Sequence, residues 1–346
     1  MLLGIAAERY SVGVREMACR LSLNAAFVPA SENLARTAQL TLSHSALREL
    51  VEREGRRTER EIREGQYGPN WTVEDCTGQT LVTGADGVMV PVVTEQQKRK
   101  RRASENLKRR QQGRQSTARP GRPRSGSDGP YHEFKIVSFY DPDKAHMYAM
   151  GTSGDHAALG RLMRREAGKI KIGQARQKYS VTDGAEWIAR QYATQLPMLD
   201  QNILDYYHLR DHVIAAGQVL YGQATPRAQA WREEMMGCVW NQGSLVMLDR
   251  LANSLRRHPG GPKGEALKSL RAYVAKRVNM TDYPSYRQIG YDCGSGPTES
   301  FCGTLTARLK GRGMHWDKDN AQSMMALASL YYSNLWQNYW TKQRAA

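Results

Sequence analysis

The sequence predicts an α/β protein in which a mixed sheet with helices is interrupted by an all-α insertion and preceded by an N-terminal helical segment. Three observations predict it. Short extended, apolar runs cluster between Thr80 and Tyr207, and the later ones alternate with helical runs. From His208 to about Val278 the pattern is helical throughout, with no credible strand. The opening segment is helical in character. The parts divide at 1–70, 71–208, 209–290 and 291–346, with a basic flexible loop at 96–130 inside the second.

In the first part, Val14–Leu23 is mixed apolar and basic, and a turn-like Gln39-Leu-Thr-Leu-Ser-His follows a second helical stretch. Leu47, Leu50 and Val51 then recur at helical spacing, and no breaker interrupts that helix before Gly65. Two helices about a short turn fit either a DNA-binding helix-turn-helix or a plain helical hairpin docked on the rest. The character changes at Trp71. Thr80-Leu-Val-Thr-Gly-Ala-Asp-Gly-Val-Met-Val-Pro-Val-Val is an extended, largely buried strand. The basic segment after it has no apolar periodicity and is expected to be a disordered or flexible loop. Tyr131–Tyr140 and Ala145–Met150 form a hairpin about Asp141-Pro-Asp-Lys. A helix over Asp155–Lys169, a strand over Lys178–Thr182, a helix over Ala185–Gln195 and a short strand over Asn202–Tyr207 follow. This order is an α/β pattern of the ribonuclease-H-like type. Gly294–Gly313 and Asn320–Trp340 supply two closing helices, the last with Met324, Leu327, Tyr331 and Leu335 on one stripe.

The formal charge is +16, and Lys98–Arg124 holds twelve Lys or Arg against the single acid Glu105, so this segment contributes +11 and the remaining chain +5. So local a charge points to a polyanionic partner met at one place, and nucleic acid is that partner. The run Arg119-Pro-Gly-Arg-Pro-Arg has the composition of a minor-groove hook. No apolar run reaches the length of a membrane span. The five cysteines are scattered, odd in number and without a Cys-x-x-Cys pair. That fits a reducing cytosol and argues against a disulfide framework and a zinc knuckle.

Three acids stand out by context. Asp86 interrupts an apolar strand, where a lone carboxylate is costly unless a cation neutralises it. Asp183 stands where a strand meets Gly184. Glu299 falls in the first turn of a helix if Pro297 opens it, on the side of Thr306 and Lys310 and away from the stripe Phe301, Leu305, Leu309. Converging carboxylates can hold two magnesium ions for an in-line phosphoryl displacement, and manganese would substitute. Taken singly, each acid is equally explained as a surface or capping residue.

Ala85-Asp-Gly-Val-Met-Val-Pro, Val181-Thr-Asp-Gly-Ala-Glu-Trp-Ile, Ile203-Leu-Asp-Tyr-Tyr-His-Leu-Arg-Asp-His, Gly294-Ser-Gly-Pro-Thr-Glu-Ser and Arg308-Leu-Lys-Gly-Arg-Gly-Met-His-Trp occur in that order. Together they resemble bacterial insertion-sequence transposases of the Mutator-like DDE superfamily, particularly the Kra-type group, over roughly Val14 to Trp340. The resemblance implies a ribonuclease-H-like fold with an α-helical insertion, two Mg2+ ions on Asp86, Asp183 and Glu299, and DNA cleavage followed by strand transfer at the ends of a mobile element. It maps a Cys/Asp-x-x-His signature onto Asp205 and His208, as active-site support or as a polar network closing the fifth strand. Asp205 is also the rival to Asp183 as a metal ligand. The expected partners are double-stranded DNA, both terminal inverted repeats and target, and a second copy of the chain in a dimer or higher multimer, in the bacterial cytoplasm at the nucleoid. The expected DNA contacts are Lys98, Arg99, Lys100, Arg101, Arg102, Lys108, Arg109, Arg110, Arg119, Arg122 and Arg124, with Arg308, Lys310 and Arg312 nearer the C-terminus. Members of that group often begin with a longer N-terminal region, which leaves open a shortened copy. A nuclease without strand transfer and a non-enzymatic DNA-binding relic are the alternatives.

Overall fold

The computed structural model describes residues 10–113 and 125–345. The chain opens with α1 (Val12–Asn24), α2 (Phe27–Ala38) and α3 (His44–Arg63). Ser11 and Ser43 cap α1 and α3, their side chains accepting from the backbone N–H of Val14 and Ala46. Two short 3-10 turns, Val73–Asp75 and Thr77–Gln79, lead into β1 (Thr80–Pro91).

The next element departs from expectation. Glu95–Gln111 is a helix, α4, not a loop. Thr94 and Gln97 close a capping box, and the interior is almost entirely Glu, Gln, Lys, Arg, Ala and Leu, all strong helix formers. None of its residues is buried, so it has no apolar face to leave a periodic trace in the sequence. Arg119, Arg122 and Arg124 lie outside the described residues.

After β2 (Tyr131–Tyr140) and β3 (Met147–Thr152) come α5 (His156–Lys169), β4 (Gln177–Thr182), α6 (Glu186–Gln195) and β5 (Gln201–Leu204). β5 ends earlier than its apolar run suggests, because Asp205 caps the helix that starts at Tyr206. Five helices follow: α7 (Tyr206–Tyr221), α8 (Pro226–Gln242), α9 (Ser244–Arg257), α10 (Gly261–Ala275) and α11 (Tyr283–Gln288). The chain closes with α12 (Gly296–Thr306), α13 (Lys318–Tyr332) and α14 (Trp336–Ala345). The single closing helix expected over Asn320–Trp340 is therefore two. Asn334 takes a left-handed φ of 58°, and Ser333 Oγ both donates to Ala149 O and accepts from Ala149 N, which trades helix continuity for a bond to β3.

The sheet order is β3-β2-β1-β4-β5. β1–β2 and β2–β3 pair antiparallel, the second through a short turn and the first across the long connection that carries α4, whereas β1–β4 and β4–β5 are parallel and are reached through helices. One apolar cluster joins much of the sheet to α1, α3, α5, α6 and α12 to α14. α13 is buried nearly all round, from Ser323 to Leu330, and acts as the hub of that cluster. A second cluster packs α7 to α11 against Val82, Tyr140, Tyr179, Val181 and Ile203. None of the described helices is long and apolar enough to cross a membrane.

Candidate active site

The parallel register brings the acids together. Thr80 pairs with Gln177 across β1 and β4, an offset of 97, and the same offset carries Asp86 to Asp183. Tyr179 pairs with Gln201 across β4 and β5, an offset of 22, which carries Asp183 to Asp205. The pairing of β1 with β4 ends at Thr83 with Ser180, and that of β4 with β5 at Thr182 with Leu204, so the three aspartates follow the paired stretches at matching offsets, and Asp183 is near enough for its charge to act on Asp86. In open α/β sheets the carboxyl ends of the strands are where ligands are met.

Glu299 arrives from α12. Along β1, Val82, Gly84 and Asp86 share one face. A Cβ on Gly84 would lie 1.9 Å from Thr298 Oγ1, so only glycine lets α12 come this close to the strand. The Thr298 hydroxyl then meets Ser138 Oγ of β2 at 2.8 Å. With α12 seated there, Cys302 donates its thiol hydrogen bond to Asp86, and Glu299, one turn earlier, projects from the same helix. Thr306, expected to share that open side with Glu299, is instead fully buried, its Oγ1 donating to Cys302 O. Lys310 lies beyond the end of α12 and is exposed.

The carboxylates of the cluster differ in how their charge is held. Burial, with the charge of Asp183 adding to it, holds the Asp86 carboxyl above the usual carboxylate range. The Gly87 N–H at 2.6 Å, the Cys302 thiol and His208 pull the other way. The Cys302 thiol is itself pushed up by burial and by the charges of Asp86 and Glu299. Asp183 Oδ1 accepts from Ala185 N at 2.8 Å. Glu299 Oε1 accepts from Ser295 Oγ at 3.0 Å and lies 3.5 Å from His208 Nε2. Among the described residues no Lys or Arg is ion-paired with Asp86, Asp183 or Glu299. Three carboxylates with no Lys or Arg paired to them offer the hard oxygen donors that divalent ions bind.

Asp205 differs from the other three. It is fully buried, and its oxygens already accept backbone N–H bonds: Oδ1 from Tyr207 at 2.6 Å and His208 at 2.9 Å, Oδ2 from Ser295. It therefore ties the start of α7, which carries His208, to the start of α12, which carries Glu299. The turn at Asp183 is tied as well. Tyr273 OH donates to Asp183 O at 3.3 Å, and Arg277 Nε donates to Gly184 O at 2.9 Å. His212, one turn beyond His208, stacks on Tyr273 at 3.7 Å. Burial and the neighbouring Arg277 and His208 charges lower its pKa.

The sequence did not single out Cys302, Tyr273 or Arg277. Cys302 had a signal, the three-residue spacing from Glu299 on a short helix; Tyr273 and Arg277 had none, since only the packing of α10 brings them to the Asp183 turn. The basic residues divide. Lys100, Arg101, Lys108 and Arg110 are exposed along α4, as are Lys310 and Arg312. Arg99 and Arg102 pair with Glu95 at 3.3 Å within the helix, and Lys98 pairs with Asp317 at 2.5 Å. Arg308 is half-buried: its guanidinium lies near the Phe27 and Trp316 rings, at 5.1 and 4.9 Å, and donates to Ser22 O.

No family model matches the chain, and no curated protein does. Among solved structures, the Drosophila P element transposase strand transfer complex is similar over 97% of this chain and 83% of that one, with 10% identity and a TM-score of 0.31. So distant a likeness establishes no shared activity.

Proposed function

We propose that this chain is a DDE transposase that cuts DNA at the ends of a mobile element and joins the freed 3′ ends to a target. The observation that carries the proposal is that Asp86 and Asp183, at matching offsets beyond the paired stretch of parallel strands β1 and β4, are near enough for one charge to act on the other, with Glu299 on the helix whose Cys302 bonds Asp86. The sheet order and its mixed parallelism suit the ribonuclease-H-like fold that the five sequence motifs imply.

Asp86, Asp183 and Glu299 would hold two Mg2+ ions, which when bound activate the attacking oxygen and stabilise the leaving oxygen of an in-line displacement. The protein's own part is positional. The Cys302 thiol orients Asp86, His208 and Ser295 orient Glu299, and Asp205 fixes the two helix starts from which His208 and Glu299 project. The exposed cations of α4 hold phosphates of the bound duplex.

The test is strand cleavage and joining on DNA carrying the element's own ends, with magnesium. Wild type should cut and join, while Asp86→Asn, Asp183→Asn and Glu299→Gln should bind DNA and do neither. Wild type that cuts without joining would make this a nuclease. Wild type that binds but never cuts would make it a regulator and sink the proposal.

A further inference from the structure

On the far side of the sheet's β2–β3 hairpin lies a second set of ligating side chains that the proposed reaction does not use. Cys76 sits between the two short turns ahead of β1, Asp141 follows the last residue of β2, and His146 precedes β3. Their ligand atoms all lie within 4.8 Å of one another. A tetrahedral ion with bonds of about 2.0–2.3 Å separates its ligands by about 3.3–3.8 Å, so small side-chain movements would close the three around one ion.

We propose that Cys76, Asp141 and His146 form a binding site for a borderline-soft divalent metal of the zinc type, which staples the segment entering β1 to the β2–β3 hairpin. Charge balance argues for a cation. Asp141 is fully buried, and both hydrogen bonds to its carboxylate come from one residue: the His146 N–H at 3.0 Å and His146 Nδ1 at 3.1 Å. Asp75 adds a second carboxylate next to the thiol. Asp141 is thus a fully buried carboxylate beside a thiol, with a single imidazole as its side-chain partner, an arrangement a bound cation stabilises and an apolar surround does not. Without metal the Cys76 sulfur is a thiol whose proton goes to Thr72 O at 3.6 Å. Metal binding would release that proton to solvent as the thiolate takes its place on the ion.

The donor set selects the ion. Mg2+ and Ca2+ take oxygen ligands, whereas thiolate with imidazole and carboxylate suits Zn2+ or Co2+. The surroundings suit a held site as well. The Trp71 ring lies 5.5 Å from the His146 ring and is itself buried, sheltering one side. A cavity of about 250 Å3 lined by Asp75, His146, Asn70 and Ser333 opens beside it, so the Asp75 carboxylate or a water can complete the coordination. Cys76 stands 65 residues before Asp141 in sequence, which is why no ligand spacing announced the set.

The test uses the full chain freed of metal with a chelator, then titrated with Co2+ in excess Mg2+ so that oxygen-only sites are filled. One equivalent should give a thiolate-to-cobalt charge-transfer band, and Zn2+ should abolish it by displacement. The band should vanish in Cys76→Ser, weaken at least about tenfold in affinity in His146→Ala, and persist in Cys302→Ser. No band in wild type overturns the proposal without reliance on any variant's folding, and so does a band lost in Cys302→Ser but kept in Cys76→Ser. Thermal melts give a second readout. Zn2+ should raise the Tm of wild type and leave that of Cys76→Ser unmoved; a Tm indifferent to Zn2+ in both would make Asp141 and His146 a hairpin clamp only.

Discussion

Asp86 is the residue on which stability and the proposed activity pull in opposite directions. Its raised pKa means that the unfolded chain gives up this proton at lower pH than the folded one. The folded state therefore loses stability as pH rises from the unfolded value through the folded value. Asp86→Asn removes that loss. In chelator at neutral pH this variant should melt above wild type, while DNA cleavage falls by more than about a hundredfold, the upper range for residues that merely support metal ligands. A lower Tm for the variant would count against a strained, cation-requiring carboxylate. Asp205 should behave in the reverse way. Its carboxylate satisfies three backbone N–H groups, so Asp205→Asn should cost about 1–3 kcal/mol in urea unfolding, whereas Asp183→Asn, whose side chain serves one turn bond, should cost about 1 kcal/mol or less. Equal costs would contradict the division between structural and chemical aspartates.

The elements carry two further consequences. α12 is placed by a contact with no slack, and Gly84→Ala should push Thr298 away, costing about 1–3 kcal/mol and cleavage activity together. Adding Thr298→Ala should restore much of both, since it clears the clash while giving up one hydroxyl pair; absence of any rescue would mean that α12 is seated by other contacts. α4 is the opposite case, an element whose residues touch little of the core. Its N-terminus is pinned through Lys98 to Asp317 and to Ser125 O, and the Glu95 backbone N–H donates to Ser127 O. Beyond that anchor the helix presents its cations to solvent. Replacing Lys100, Arg101, Lys108 and Arg110 by Gln should flatten the salt dependence of DNA affinity by up to about 3.6 in log–log slope, at about 0.9 per phosphate contact. An unchanged slope in fluorescence anisotropy would remove α4 from the DNA interface.

At the scale of the molecule, the first three helices share the core of the closing ones. Arg15 of α1 and Glu54 of α3 form a buried two-bond pair at 2.9 and 2.8 Å, and Tyr339 of α14 donates to the same carboxylate at 2.6 Å. Gly55 of α3 would place a Cβ 2.9 Å from Ser323 O of α13, so these helices lie in close contact. Glu54→Ala removes the two-bond partner of buried Arg15 and the acceptor of Tyr339 and should cost about 3–5 kcal/mol, with the whole chain unfolding in one earlier transition. A separate early transition of the first 70 residues would show that they are an independent unit.

The sequence by itself determined the elements that carry a periodic or punctuated signal. The hairpin about Asp141, the helices capped by Ser43 and Asp155, the extent of α3 as far as its glycine, and the helical stretch after β5 were all legible, because local propensity and burial agree there. It also picked out Asp86, Asp183 and Glu299, since an acid inside an apolar strand, at a strand end or after a Gly-Pro turn is a visible anomaly. Only the tertiary structure decided what depends on packing between distant segments. It made a helix of the basic stretch, which no buried face marks in the sequence. It split the last helix at Ser333, where a bond to β3 outweighs continuity. It set Arg308 beside the Phe27 and Trp316 rings, tied Asp205 to two helix starts, and set Cys302 against Asp86 and Cys76 beside Asp141 and His146. In each case the deciding contact joins residues from separate elements, and such a contact leaves no periodic trace along the chain.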